Sequence, residues 1–278
     1  MGEVTQMKIL GSKENVGHLY LCTRLMLFEA CIIPSLLHQI EAWWPLLKKA
    51  ELKQLEGVQG KILRNLLHLP KTTPYWGILH ETGTWTIKWR LVYRMIMLFH
   101  NIMVGDEDRL AKEVLEQQVT ESHEESFVSK VLNESAELGI WDITELAKSE
   151  LKKRVKEAIK EKMETEIANE ATRSSKLRFI TGPISLERAD YINEMDGDDA
   201  VEVMKTKLNM LNIHDNYRND IKKQRKCPHC KENKDTTEHF VSCPVVGGKD
   251  ENEKILFGSD AESWRKIMNI VKTNKERR

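Results

Sequence analysis

Four residues towards the end of the chain have the types and the spacing to hold a metal ion. Cys227, Cys230, His239 and Cys243 stand in the order C-x2-C-x8-H-x3-C. A soft ion that takes four nitrogen or sulfur ligands in a tetrahedron, such as zinc, matches that set. Pro228 turns the chain so that the first two thiolates share a short knuckle. His239 and Cys243 are four residues apart, so a helix presents both on one face. Thr236 or Thr237 can cap that helix, and Glu238 falls in its first turn, where a carboxylate is favoured. Four protein ligands leave no position for water, so the expected cofactor is a structural Zn2+ rather than a catalytic one. His214 and His229 are competing nitrogen donors, and the spacing favours His239.

Five cations crowd this segment: Lys222, Lys223, Arg225, Lys226 and Lys231. Basic residues packed around a small metal module form an electrostatic footprint for phosphate, with a solvated face as the plain alternative. Catalytic chemistry is not expected. Gly197-Asp198-Asp199 invites comparison with the paired carboxylates of viral polymerases, but a helical pattern follows it, so Asp198 reads as a helix cap. No Tyr-x-Asp-Asp, phosphate-cradling glycine loop, nucleophile elbow or His-Glu-x-x-His occurs. His38, His68, His80 and His100 read as histidines on or beside apolar faces. Trp43, Trp44, Trp76, Trp85 and Trp89 read as packing anchors. Lys88, Arg90 and Arg94 beside them leave a base-stacking platform as the alternative.

These residues must be positioned by helices. The chain of 278 residues is 40% hydrophobic and 31% charged, with only 14 Gly and 7 Pro, which argues against a turn-rich all-β fold and for a mainly α one. Leu52, Leu55, Val58, Ile62, Leu66 and Leu69 repeat at three and four until Pro70. Pro45 suits the first position of that helix. Trp89, Val92, Tyr93, Ile96, His100 and Met103 make a second stripe, closed by Gly105. Residues 106–140 form a weaker, acidic stretch. Ile143, Ala147, Leu151, Val155, Ile159, Met163 and Ile167 predict a long amphipathic helix, and Gly182-Pro183 predicts a break after it. Ala200, Val203, Met204, Lys207, Leu208 and Leu211 predict one helix before the metal segment. Ser259-x-x-Glu262 predicts a capping box for a last one.

The zero net charge hides segregation: residues 1–100 are net positive by five and residues 101–172 net negative by eight. That difference suggests different partners for different parts. Five cysteines, three of them assigned to the metal, leave Cys22 and Cys31 as free thiols; this fits a reducing compartment, the nucleus or cytoplasm. No apolar run approaches the roughly 18 residues a membrane span needs. The N-terminus lacks a signal-peptide pattern.

Two segments resemble the carboxy-terminal part of the polymerase polyprotein of LINE-type non-LTR retrotransposons, downstream of its catalytic palm. In the first, Ile33-Pro34-Ser35-Leu36-Leu37 followed by Glu41-Ala42-Trp43 resembles P-x-L-L-Y-G-x-E-x-W, with His38-Gln39 where the pattern has Tyr-Gly. Gln59, Leu63, Arg64 and Leu66-Leu67-His68-Leu69-Pro70 resemble Q-x-x-x-L-R-x-L-L-G-L-P. Glu81 and Gly83, with Leu79 before them, resemble L-x-x-E-x-G. In the second, Ser175-Lys176-Leu177-Arg178, Lys207-Leu208-Asn209-Met210-Leu211 and Asn216-Tyr217-Arg218 precede the Cys/His set, and Thr236-Thr237-Glu238-His239 resembles the family's T-T-E-H.

The resemblance implies a helical polymerase thumb followed by a zinc-bearing nucleic-acid module, without the palm and its catalytic aspartates. The expected organisation is a thumb-like domain over 1–105, an acidic helical connector over 106–172, a helix with the zinc module over 173–244, and a C-terminal helix over 245–278. The expected function is non-catalytic, sequence-tolerant binding of RNA or DNA. A separate polymerase or a host protein are further expected partners, and a membrane is not. The alternative is a zinc-stabilised protein-interaction or structural protein, a truncated or domesticated retroelement remnant that does not bind nucleic acid.

Overall fold

The computed structural model describes residues 19–105, 109–121, 123–181, 184–211, 213, 226–246, 255–258 and 260–276. It is mainly α, as the composition requires, and the described residues contain no β-strand beyond one isolated bridge. The helices are α1 Leu21–Leu27, α2 Ile33–Leu36, α3 Ile40–Trp43, α4 Lys49–Leu66, α5 Tyr75–Thr82, α6 Ile87–Met103, α7 Leu110–Glu121, α8 Phe127–Glu137, α9 Lys148–Arg173, α10 Asp190–Glu194, α11 Gly197–Lys207, α12 Thr237–Ser242 and α13 Ala261–Glu276. A π-helical turn, Phe28–Ile32, joins α1 to α2. Among the described residues no helix is long and apolar enough to cross a membrane.

Contacts divide the chain into two compact units. The first takes the described residues of Met1–Ala30, Lys61–Thr84 and Ile167–Arg278; the second takes Cys31–Gly60 and Trp85–Glu166.

In the second unit, Thr86 starts α6 by accepting from the Trp89 N–H at 3.3 Å, and Ser126 starts α8 by accepting from the Ser129 N–H at 3.1 Å. The acidic stretch over 106–140 thus holds two helices, α7 and α8. The α9 helix begins at Lys148, so Ile143 lies before it, where its carbonyl meets His100 Nδ1 at 2.8 Å. Leu151, Val155, Ile159, Met163 and Ile167 are all fully buried at a strict spacing of four. That spacing advances about 40° per step around an α-helix, so the apolar line winds around α9 instead of marking one face.

Polar residues close this unit. The Trp89 indole donates to Glu166 at 3.1 Å, Gln59 donates to the Trp85 carbonyl at 2.8 Å, and Arg94 pairs with Glu41 and donates to the Leu37 carbonyl at 3.0 Å. Lys88 sits between Glu134 and Glu137. Trp44 and Trp89 are buried anchors as expected, but Trp43 is 63% exposed. Pro45 lies in a 3-10 turn, Trp44–Leu46, and α4 starts later, at Lys49.

In the first unit, Arg24 is fully buried. It donates to the Leu19 carbonyl at 3.0 Å and the Leu66 carbonyl at 3.4 Å, and meets His68 Nδ1 at 3.2 Å. Asp196 caps α11 by accepting from the Gly197 N–H at 2.7 Å, so Asp198 falls in the first turn rather than at the cap. Asp199 pairs with Lys272 of α13 at 2.7 Å. The start of α13 is capped by Asp260, which accepts from Ser263 N–H at 2.9 Å and hydroxyl at 2.7 Å. The expected Ser259 cap and the Gly182-Pro183 break lie outside the described residues.

The centre of this unit is Glu81, 2% exposed, on α5. Its carboxylate accepts from the Tyr191 hydroxyl at 2.7 Å and meets His80 Nδ1 at 3.2 Å, with Lys207 as a further positive charge. Its backbone carbonyl accepts from the Ala189 N–H at 2.9 Å. Burial alone would push this carboxyl up, but Lys207, His80 and Tyr191 outweigh it and hold it down at about 2. Gly83 ends α5 in the left-handed region, φ 63°, and a side chain there would strike the Arg188 backbone nitrogen.

Two outcomes follow. The folded pKa of Glu81 lies below the unfolded value of 4.5, so its stabilisation is complete above that pH and is lost as pH falls towards 2. The shift corresponds to about 3 kcal/mol. Urea melts at pH 6 and pH 3 should show about 2 kcal/mol of that loss, and Glu81→Gln should show a smaller one on a lower starting stability. Gln39 adopts φ 54°, which a β-carbon disfavours, so Gln39→Gly should raise stability by about 0.5–1 kcal/mol. A thermal melt that falls instead would contradict the left-handed turn.

Candidate metal centre

The metal segment is built from a knuckle and a short helix. The Cys227 N–H donates to the Asn233 carbonyl at 2.7 Å and the Lys231 N–H to the Cys227 carbonyl at 3.0 Å, which folds Cys227-Pro228-His229-Cys230 back on itself. Lys231 takes a left-handed φ of 58° to close that turn, and Lys226 bridges antiparallel to Lys234. Thr236 caps α12 through its hydroxyl, which accepts from the His239 N–H at 3.2 Å, and Glu238 lies in the first turn. The sequence allowed Thr236 or Thr237; Thr237 is instead fully buried, and its hydroxyl donates to Asn209 Oδ1 at 2.5 Å.

All four expected ligands come together. Their donor atoms lie within 4.8 Å of one another. Cys227 Sγ is 3.9 Å from Cys243 Sγ, and Cys230 Sγ is 3.2 Å from His239 Nε2. Metal–sulfur and metal–nitrogen bonds of about 2.3 and 2.0 Å give tetrahedral edges of about 3.8 and 3.5 Å, so the spacing fits one central ion. The donors are soft and their mouth is narrow, since Cys227 and Cys243 are buried while Cys230 and His239 are half-buried. Burial pushes the Cys227 thiol up to about 11 in spite of the N–H groups of Cys230 and His229. The backbone N–H groups of Asn233 and Glu232 draw the Cys230 thiol below its ordinary value. His229 does not join the group.

Side-chain contacts of Thr237 and Glu238 tie the module to the rest of its unit. Asn209, left-handed at φ 53°, ends α11 and receives the Thr237 hydroxyl. Arg178 holds Glu238 through two nitrogen–oxygen contacts, 2.8 and 2.9 Å.

Of the expected phosphate-binding cations, Lys226 and Lys231 are exposed on the knuckle, while Lys222, Lys223 and Arg225 lie outside the described residues. The bridge adds Lys234, also exposed, which the sequence reading passed over. Its position in the loop between Cys230 and His239 was the available signal. Arg90 and Arg94, the cations of the expected stacking platform, are both engaged inside the second unit: Arg90 donates to the Trp85 carbonyl at 3.2 Å and Arg94 holds Glu41.

Compared with models of protein families, with curated proteins and with solved structures, the chain matches none.

A soft divalent ion should bind at one equivalent per chain. Reduced full-length protein titrated with cobalt(II) should develop sulfur-to-metal charge-transfer absorption, and Cys243→Ser should abolish it. The same variant should make residues 226–246 protease-sensitive while most of the helical signal remains, because so small a module has little core of its own. Reduced protein that shows no cobalt–thiolate absorption would refute the centre.

Proposed function

We propose that this chain is a non-catalytic RNA- or DNA-binding module, built on a structural zinc centre and derived from the thumb and zinc region of a non-LTR retrotransposon reverse transcriptase. One observation carries the reading. The family pattern has glycine at the places occupied by Gln39, His68 and Gly83, and the backbone is left-handed at all three, with φ of 54°, 52° and 63°. Left-handed backbone is where glycine is favoured, so the turns persist at two places where the glycine does not. Six described residues have positive φ, and half of them fall at these positions.

The polar residues of the same pattern have structural work. Glu41, Gln59, Arg64 and Glu81 hold Arg94, the Trp85 carbonyl, the Thr73 carbonyl and Tyr191 respectively. Binding is therefore assigned to the metal module, where Lys226, Lys231 and Lys234 are exposed around a folded knuckle. Lysine contacts to phosphate position a strand without reading its bases. The paired aspartates have structural surroundings: Asp198 lies in the first turn of α11, where its charge faces the buried Arg24, and Asp199 holds Lys272, which supports a module without turnover.

Zinc-loaded protein should bind RNA, single-stranded DNA and duplex with little sequence preference, with a log–log salt slope of roughly −4 to −5 for six phosphate contacts. Replacing any one of Lys222, Lys223, Arg225, Lys226, Lys231 and Lys234 by Ser should reduce the slope by about one and weaken all sequences alike. If a variant lacking all six binds as wild type does, or wild type does not bind at low salt, the interaction-protein reading takes its place. One observation favours that second reading: Trp43, Leu46 and Trp141 of the second unit are 63%, 69% and 79% exposed, large apolar side chains of the kind a protein partner covers.

A further inference from the structure

The first unit contains a cleft of about 290 Å³ lined by α5, the segment before α10, the end of α11, and the Phe179 and Phe257 segments. It lies apart from the four metal ligands, none of which lines it. Two of its cations lack a hydrogen-bond acceptor among the described residues. Lys207 is 8% exposed, and its ammonium has the Tyr191 ring at 5.6 Å and the charge of Glu81 for company. Arg188 has its Nε buried without a partner. His80 lines the same wall.

The countercharge inside is already engaged. The Glu81 carboxylate holds Tyr191 and His80, so it cannot saturate the donors of Lys207 and Arg188. Glu187 and Asp190 also line the cleft, but both are exposed, where water and salt screen them. Buried nitrogen donors without acceptors are costly, and a multi-oxygen anion would satisfy them together.

An aromatic pair lines the same cleft. Phe179 and Phe257 meet edge to face at 5.6 Å, and Phe257 is 48% exposed. A ring that accepts stacking beside a pair of phosphate-type donors is the combination that holds one nucleotide. The volume is at the small end of ligand sites, roughly 300–1,000 Å³, which suits a single nucleotide.

We propose that this cleft binds one nucleotide, its phosphate held by Lys207 and Arg188 and its base laid against Phe257. The phosphate can belong to a free mononucleotide or to the end of a single strand. The site is separate from the zinc-module surface, so either can fail without the other.

The test uses full-length, zinc-loaded protein and isothermal titration with adenosine 5′-monophosphate, adenosine and inorganic phosphate. The monophosphate should bind and adenosine should bind much more weakly. Arg188→Gln should weaken the monophosphate and inorganic phosphate about tenfold each, the loss of one charge-assisted contact. Phe257→Ala should weaken the monophosphate but leave inorganic phosphate unchanged. Replacing Lys226, Lys231 and Lys234 by Ser should leave all three titrations unchanged. A 5′-phosphorylated oligonucleotide that outcompetes its 5′-hydroxyl twin assigns the cleft to strand ends; equal competition assigns it to free nucleotide. Lys207→Met is read only alongside its melting temperature, because Glu81 depends on that charge. Wild type that ignores the monophosphate at millimolar concentration, or Arg188→Gln that binds as wild type, overturns the proposal.

Discussion

The first unit depends on one buried charge. Glu81 could not stay ionised at 2% exposure without the Tyr191 and His80 contacts and the positive charge of Lys207, and these partners come from different helices. His80 is its neighbour on α5, Tyr191 belongs to α10, and Lys207 ends α11. The carboxylate thereby sets the separation of these helices, and its own carbonyl pins the chain entering α10. Gly77 on the same helix completes the fit, since a β-carbon there would meet the ends of Leu208 and Leu177 at under 3 Å. The nucleotide-sized cleft lies directly beside this network because the network's cations are also its wall.

The metal module inherits its place from the same helix. Lys207 is the last residue of α11, and two residues on, left-handed Asn209 ends the helix and accepts from Thr237 at the start of α12. A short cap-to-cap hydrogen bond between buried groups leaves little freedom at the entrance to the Cys/His cluster. The Arg178–Glu238 pair adds a second tie, but about a third of each side chain is exposed, so its contribution is modest.

The second unit solves a different problem. It contains most of the acidic stretch over 101–172, and Glu56 and Glu134 are both pushed up by burial. Lys88 is placed among these carboxylates and also lies 4.1 Å over the Trp89 ring, so one lysine serves both charge balance and packing. The acidic middle of the sequence is thus partly internal structure, not wholly a surface for a partner. Arg94 shows the same economy: paired with Glu41 and bound to the Leu37 carbonyl, it closes the turn around Gln39 instead of facing a ligand.

Local chemistry was legible in the amino-acid sequence. The helical class, the closure of α6 by Gly105, and the metal ligand set follow from periodicity, glycine and cysteine spacing, all of which act over a few residues, whereas α4 stops at Leu66, short of the expected Pro70. The cap at Thr236 and the choice of His239 over His229 belong to the same range. Side-chain burial and partnership did not follow. Trp43 and Trp44 are adjacent and alike in type, yet one is exposed and one buried, because a 3-10 turn and not a regular helix carries the chain past them. The grouping of helices into two interleaved units, and the meeting of His80, Arg188 and Lys207 around one cleft, join residues more than a hundred positions apart. Contacts at that separation depend on how whole helices pack against one another, and no local pattern encodes that choice.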